Sequence, residues 1–189
     1  MTDSGPMSSA ENRDRSAEGL RIWVDADSCP SRVREIICRA ADRTTTPASF
    51  VANRKIPLPK RSLISMIVVG TEEGSADRYI ATHAQTGDIA VTRDIPHAAD
   101  LVSLGVVVLN DRGVVFTEEN VRERLSVRDF MYELRTQGIE VPERAPYSQR
   151  DIALFAQAFD RVLTQRLRAQ KLRTRTPHLH QPDEREQST

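Results

Sequence analysis

The chain is poor in the residues and patterns that mark several classes of protein. It has only two cysteines, Cys29 and Cys38, which excludes a disulfide framework and a cysteine-rich zinc site. Its 27 basic and 27 acidic residues cancel, which excludes a strongly basic nucleic-acid coat but not a local basic face. The longest apolar run, residues 64–70, is far too short to cross a bilayer.

Targeting signals and several catalytic motifs are also missing from the sequence. Residues 1–15 contain no apolar segment of the kind found in signal peptides, so we expect a cytoplasmic protein without membrane association. There is no G-x-G-x-x-G, no Walker loop and no G-x-S-x-G. These absences disfavour dinucleotide-dependent oxidoreductases, P-loop enzymes and serine hydrolases.

Composition divides the chain into three parts. Residues 1–19 and 173–189 are polar and have almost nothing to bury, which predicts a disordered leader and a disordered tail. Residues 20–172 have the length of one domain. Charge is uneven near the end of that domain, because residues 161–175 carry six basic residues and no acidic one.

Short apolar runs alternate with helical patterns over the first part of the domain. Strands are predicted at residues 22–24, 49–52, 63–69, 89–92 and 106–109. Helices are predicted between them at residues 31–43, 75–85 and 96–104. Continuous apolar strands separated by helices are typical of a parallel sheet covered on both faces. The sequence therefore predicts a three-layer α/β fold with a mostly parallel, Rossmann-like sheet of five strands.

After the fifth strand the pattern becomes helical. Thr117 predicts the cap of a short helix over residues 118–125, and Ser126 with Asp129 predicts a capping box for another over 127–137. Ser148 with Asp151 repeats that signature before a helix with an apolar stripe. The stripe consists of Ile152, Phe155, Phe159, Val162, Leu163 and Leu167. It indicates a helical appendage that packs on the sheet.

Carboxylates follow three of the first four predicted strands. Asp25 and Asp27 follow the first strand, Asp77 follows the third, and Asp94 follows the fourth. Ligands of open α/β sheets bind at the carboxyl ends of the strands, so we expect these side chains to meet at one edge. Crowded carboxylates repel one another unless a cation lies among them, and hard oxygen ligands suit Mg²⁺ or Mn²⁺.

Each acidic residue also has a structural explanation. Asp94 is placed to cap the helix that follows it, and Asp77 complements a helix dipole. Ser28 is the expected cap of the first helix. Asp88 begins the fourth strand, so we expect it at the opposite edge of the sheet in a structural role.

Other candidate residues have different chemistry. Asn53, Arg54 and Lys55 follow the second strand and suit contact with a nucleic-acid backbone. Cys29 lies at a helix N-terminus, which lowers a thiol pKa, but the sequence offers no base beside it. His97 lies near the site by position, where a single histidine more often supports a site or lies on the surface.

Six segments, in order over about residues 21–167, resemble the YaiI/YqxD family of uncharacterised bacterial proteins. They are IWVDADSCP, FVAN, GSADRYI, GDIAVTRDIPHAADL, VLNDRGVVFTEENVRERLSVRDFMYELR and SQRDIALFAQAFDRVL. That family is similar at fold level to PIN-like domains, which are Mg²⁺- or Mn²⁺-dependent nucleases with a sheet of order 3-2-1-4-5. The resemblance therefore implies this strand order and a metal-dependent site.

The resemblance also implies roles for individual residues. Asp25, Asp77 and the segment Thr92-Arg93-Asp94 fit the places of the catalytic, metal-binding acids of PIN-like domains, with Asp27 as an additional metal-binding carboxylate. Thr92 joins the polar residues after the second strand as a substrate contact.

Three functions remain open from the sequence. The first is a metal-dependent nuclease or phosphoesterase that acts on single-stranded RNA or DNA. The second is a haloacid-dehalogenase-like phosphatase, in which Asp25 attacks phosphorus and Asp27 is the acid/base; only part of that family's pattern is present. The third is a catalytically silent PIN-like module that binds RNA or protein. The sequence does not indicate an oligomeric state.

Overall fold

A computed structural model describes residues 19–141 and 145–175. In the first part of the chain, strands and helices alternate: β1 (Ile22–Asp25), α1 (Ser31–Thr44), β2 (Ala48–Ala52), β3 (Ile64–Val68), α2 (Ser75–His83), β4 (Ile89–Val91), α3 (Ile95–Ser103) and β5 (Val107–Leu109). Two longer helices follow, α4 (Glu118–Thr136) and α5 (Gln149–Arg175).

The five strands form one parallel sheet of order β3-β2-β1-β4-β5. β1 lies at its centre, where Ile22 pairs with Ala48 of β2 and with Ile89 of β4. The predicted α/β class and the strand order implied by the family resemblance are confirmed. The order reverses between β2 and β4, on either side of β1, which places a topological switch point at the carboxyl end of β1.

Alternate residues of each strand enter two separate cores. Ile22 and Val24 of β1 belong to the core under α1 and α5, whereas Trp23 belongs to the core under α2, α3 and α4. The period of two along a strand explains this division. The molecule is therefore a three-layer structure with helices on both faces of the sheet.

Helix α5 covers one face of the sheet. Phe155 and Phe159 are at most 1% exposed and stack with ring centroids 5.4 Å apart, and Leu163 is buried beside them. A reciprocal pair of hydrogen bonds between Ser148 and Asp151 precedes the helix, which confirms the predicted capping box. The predicted apolar stripe is thus core, and α5 completes a layer of the domain.

The two helices predicted over 118–125 and 127–137 are one continuous helix, α4. Thr117 caps it through a box with Asn120, as predicted for the first of the pair. The predicted cap at Ser126 is wrong, because its hydroxyl donates to the carbonyl of Arg122 one turn earlier. A serine inside a helix can satisfy itself in this way, so its presence did not require a break.

The remaining boundaries agree closely with the predicted elements. Residues 1–18 of the predicted leader and residues 176–189 of the predicted tail lie outside the described residues. Residues 173–175, which were predicted as the start of the tail, belong to α5. Within the described parts of the chain, no helix has the length and apolarity needed to span a membrane.

Candidate active site

A cleft of about 510 Å³ opens at the carboxyl ends of the central strands. All four predicted carboxylates line it: Asp25, Asp27, Asp77 and Asp94. The other lining residues are Ser28, Asn53, Gly74, Ala76 and Arg93. The structure therefore brings together acids that are as far apart as 69 positions in the sequence, from Asp25 to Asp94.

The sheet itself places two of these acids side by side. Asp25 is the last residue of β1, and Asp94 follows the neighbouring strand β4 by three residues. Asp77 arrives from the first turn of α2, which packs against β1 and β2. Parallel strands end at the same edge, so this convergence follows from the strand order.

Hydroxyl groups hold the carboxylate of Asp25. Ser28 Oγ donates to Asp25 Oδ2 over 2.7 Å, and Thr92 Oγ1 donates to the same oxygen over 3.2 Å. The hydroxyl of Thr92 also accepts from the backbone N–H of Asp94 over 3.1 Å. Thr92 is only 2% exposed, so it links Asp25 to the segment that carries Asp94.

The position of Ser28 corrects a prediction from the sequence. Helix α1 has Pro30 at its N-cap and no side-chain cap, so Ser28 is not the cap of that helix. The chain needs two further residues after Ser28 before α1 begins, and its hydroxyl is instead within reach of Asp25. Ser28 was therefore missed as a residue of the site.

Asp94 caps α3, which confirms the structural role predicted for it from the sequence. Its Oδ1 accepts from the backbone N–H of His97 over 2.8 Å. No hydrogen bond within the described residues reaches its other oxygen. Capping uses one oxygen of the carboxylate, so the structural role and a role in the cleft are compatible.

Asp77 lies against a buried histidine. His97 is 3% exposed, and its Nε2 lies 3.7 Å from Asp77 Oδ1 without a hydrogen-bond partner among the described residues. Burial raises the pKa of Asp77; His97 opposes this shift, and the carboxylates of Asp25 and Asp94 reinforce it. Burial is the largest cause of the raised pKa, and the neighbouring carboxylates add to it because like charges disfavour ionisation.

Asp27 is held at the other side of the cleft. Its Oδ2 accepts from the backbone N–H of Asn53 over 2.6 Å, and its Oδ1 lies 3.7 Å from Nε of Arg54. The side-chain oxygen of Asn53 is buried and accepts no hydrogen bond from the described residues. A buried acceptor without a partner costs stability unless a ligand or water satisfies it.

Arg54 and Lys55 lie beside the cleft and do not line it. They border an adjoining cavity of about 260 Å³ with Arg34, over a floor that includes Ala26. Asp27 lines both spaces, so the cavity and the cleft meet at this residue. Of the predicted substrate contacts after β2, only Asn53 faces the carboxylates directly.

Arg93 is a further residue of the cleft that the sequence did not single out. Its Nε lies 3.3 Å from the buried carboxylate of Asp111, and its Nη1 donates to the carbonyl of Ser28 over 3.4 Å. A signal was present, because an arginine between Thr92 and Asp94 has to follow them to the same edge. Among the residues that the structure describes, Arg93 is the positively charged side chain that lines this acidic cleft.

Two residues considered from the sequence lie outside this chemistry. Asp88 is at the opposite edge, where it accepts from Trp23 Nε1 over 2.9 Å and from the backbone N–H groups of Arg21 and Gln85. Its predicted structural role is confirmed. Cys29 is buried, and burial raises the pKa of its thiol far above the usual range, which disfavours a nucleophile.

The carboxylates of the cleft are too few and too far apart to enclose a metal ion. Among the described residues, no group of three or more His, Cys, Asp or Glu side chains is close enough to hold a metal by itself. Mg²⁺, however, usually keeps several waters and binds through one or two carboxylates together with substrate phosphates. The donor set of this cleft fits that mode of binding and does not fit a closed structural site.

Comparison with known proteins gives a consistent family match. The model of the family described as "Uncharacterized BCR, YaiI/YqxD family" matches residues 23–165. A UPF0178 protein of Myxococcus xanthus is 54% identical over 145 residues, which cover 77% of this chain and 95% of the relative.

Two further relatives are proteins of other bacteria. A UPF0178 protein of Treponema pallidum is 48% identical over 154 residues, covering 82% of this chain and 87% of the relative. A UPF0178 protein of Vibrio cholerae is 43% identical over 147 residues, which cover 78% of this chain and 99% of the relative. No solved structure gives a significant match.

Proposed function

The chain belongs to the uncharacterised YaiI/YqxD family, and from that premise we propose that its cleft is the site of a Mg²⁺- or Mn²⁺-dependent phosphoesterase that cuts single-stranded RNA or DNA. One observation carries the proposal. Asp25, Asp77 and Asp94 come from three different elements and line the same cleft at the switch point of the sheet. The strand order and this placement are those expected of a PIN-like nuclease.

Each of these three acids has one oxygen available for a ligand. Asp25 uses Oδ2 for two hydroxyl groups, Asp94 uses Oδ1 for its helix cap, and Asp77 Oδ1 faces His97. No hydrogen bond within the described residues reaches the second oxygen of any of them. The available oxygens would hold the cation directly or through its waters.

A divalent cation in this cleft would supply an activated water and neutralise charge on the phosphate during cleavage. The protein would hold the carboxylates in position around this cation. Ser28 and Thr92 orient Asp25, and the link from Thr92 to the backbone of Asp94 keeps the two carboxylates in a fixed relation. We therefore assign Thr92 the role of holding these two acids in place, instead of the substrate contact expected from the sequence.

The nucleic-acid backbone would pass beside the acids over the adjoining cavity. Lys55 has no ion-pair partner among the described residues, and Arg34 and Arg54 border the same space. Cations next to an acidic catalytic cleft suit a phosphodiester chain that must approach carboxylates. An open cleft also suits a flexible single strand better than a rigid duplex.

The test is cleavage of labelled single-stranded RNA and DNA in Mn²⁺ with and without EDTA. We expect Asp94→Asn to lower the rate by at least about a hundredfold, because it removes charge that holds the cation. Asparagine caps helices as well as aspartate, so this variant keeps the cap of α3. The matched control is Asp129→Asn, which removes an exposed carboxylate on α4 that does not line the cleft.

The outcomes separate the alternatives. Equal trace activity in wild type, Asp94→Asn and Asp129→Asn would indicate a contaminant and contradict the proposal. Metal-independent or weak binding of single strands without cleavage would favour the binding module. A covalent aspartyl-phosphate on Asp25 would favour the haloacid-dehalogenase-like phosphatase.

A further inference from the structure

Exposed apolar side chains are concentrated in the second half of α4 and just after it. Val127, Phe130, Tyr132 and Ile139 are between 48% and 65% exposed, and they are half of the large apolar side chains exposed in the described chain. None of residues 126–139 is buried. Helices in proteins owe most of their stability to packing of an apolar face, and the described residues bury no side chain of this half of α4.

Three apolar residues in this half of α4, one exposed and two partly buried, have the spacing of a coiled-coil seam. Val127, Met131 and Leu134 occupy successive d, a and d positions of a heptad. At about 100° per residue, this seam lies roughly a third of a turn away from Val121, the buried residue that joins α4 to its own core. A partner helix can therefore reach the seam without displacing the contact between α4 and the sheet layer.

The e and g positions that flank the seam carry different kinds of side chain. In the same heptads, Arg128 and Arg135 take the e positions, and Glu123 and Phe130 take the g positions. Arg124 takes the a position beside Glu123, but its guanidinium lies 5.9 Å from the ring of Phe116 in its own chain. In a parallel pair of such helices, each g residue faces the e residue of the next heptad on the partner. Glu123 then meets Arg128 of the second copy, and Phe130 meets Arg135 of the second copy as a cation–π pair.

An antiparallel pair of the same helices would bring e positions against e positions. Arg128 and Arg135 would then face arginines, which is unfavourable. Arg128 forms an ion pair with Asp129 at 3.1 Å within the same helix. Because both side chains are exposed, this pair contributes little to stability and does not prevent Arg128 from pairing with a second copy.

From this self-complementary pattern we infer that α4 is a homodimer interface, in which two copies of this chain pair in parallel and in register through Val127, Met131 and Leu134. The inference is independent of the catalytic proposal, because none of these residues lines the cleft.

Sedimentation equilibrium of the full-length protein over a concentration series tests the interface. Wild type should have twice the mass of one chain at tens of micromolar, and Val127→Glu should raise the dissociation constant at least roughly tenfold. The matched control is Tyr132→Glu, which places the same charge at an exposed position on another face of α4 and should leave the mass unchanged. Circular dichroism and the melting temperature check that each variant is folded.

Two further variants test the orientation. Arg128→Glu should weaken a parallel pair by opposing Glu123, and adding Glu123→Arg should restore it. Leu134→Cys should form a disulfide between the two copies on mild oxidation, because identical d positions meet in register; Cys29 and Cys38 are buried and do not compete.

Several results would overturn the inference. They are a wild-type monomer at about 100 μM, a dimer indifferent to Val127→Glu, or stronger association in Arg128→Glu than in wild type. The first would remove the dimer, the second would move the interface elsewhere, and the third would point to an antiparallel pair.

Discussion

At the scale of single residues, the carboxylate of Asp77 combines partial burial with two acidic neighbours. Burial raises its pKa, and Asp25 and Asp94 add to that effect although His97 opposes it. A carboxylate whose pKa is raised in the folded state is neutral in both states at low pH. As the pH rises, the unfolded chain ionises first, so this group's contribution to stability is lost through the window between the two pKa values.

The expected consequence concerns Asp77→Asn. Its free energy of unfolding relative to wild type should increase from about pH 3.5 to pH 7, because asparagine does not ionise. Urea titrations at the two pH values measure this difference, with Asp129→Asn as the control for loss of an exposed carboxylate. A difference between Asp77→Asn and wild type that does not change with pH would contradict the assignment.

Sequence reasoning found the acids but not the groups that orient them. Asp25, Asp77 and Asp94 could be placed because each follows a recognisable strand and parallel strands end at one edge. The hydroxyl of Ser28 turns toward Asp25 because α1 begins later than a serine cap would require. Such a choice between two nearby acceptors depends on the folded geometry and cannot be deduced from spacing alone.

At the scale of elements, α4 shows how a capping signature can mislead. Thr117 and Ser126 both precede a suitable residue three positions later, but only Thr117 lies where the chain enters a helix. The chain on either side of Ser126 has no glycine or proline, so nothing in it breaks the helix. The two local signatures were alike, and Ser126 is not a cap because the helix continues unbroken through it.

This difference predicts opposite effects of two similar substitutions. Thr117→Ala should lower the free energy of unfolding by about 1 kcal/mol, since it removes a cap. Ser126→Ala should leave stability unchanged or raise it by a few tenths of a kcal/mol, because alanine is the better helix former. Chemical denaturation of both variants gives the comparison, and a loss at Ser126 as large as that at Thr117 would favour two helices.

Helix α5 offers a matched pair of neighbours with opposite surroundings. Phe155 is fully buried against the sheet, whereas Leu154 is 45% exposed. Phe155→Ala should cost about 3–5 kcal/mol through lost burial and the cavity left behind. Leu154→Ala should cost less than about 1 kcal/mol. Urea unfolding measures both, and a loss at Phe155 as small as that expected at Leu154 would show that this part of α5 is not part of the core.

At the scale of the whole molecule, the fold was predictable because its signals agree. The apolar strands, the helices between them and the stripe of α5 all favour a parallel sheet covered on both faces, and the structure has that arrangement. The order of the strands required the family resemblance, since apolar runs do not state which strands are neighbours. The inference that α4 pairs with a second copy required the structure, because only burial distinguishes a seam outside the core from one inside it.

The place of α5 in the chain has a consequence for synthesis on the ribosome. Phe155, Phe159 and Leu163 cover a sheet face whose own residues, such as Ile22 and Phe50, are made more than a hundred positions earlier. The nascent chain therefore carries an apolar face that α1 covers only in part until α5 has been made. Native closure has to wait for the last helix to emerge, so a ribosome that stalls before α5 would display a surface that chaperones and proteases recognise.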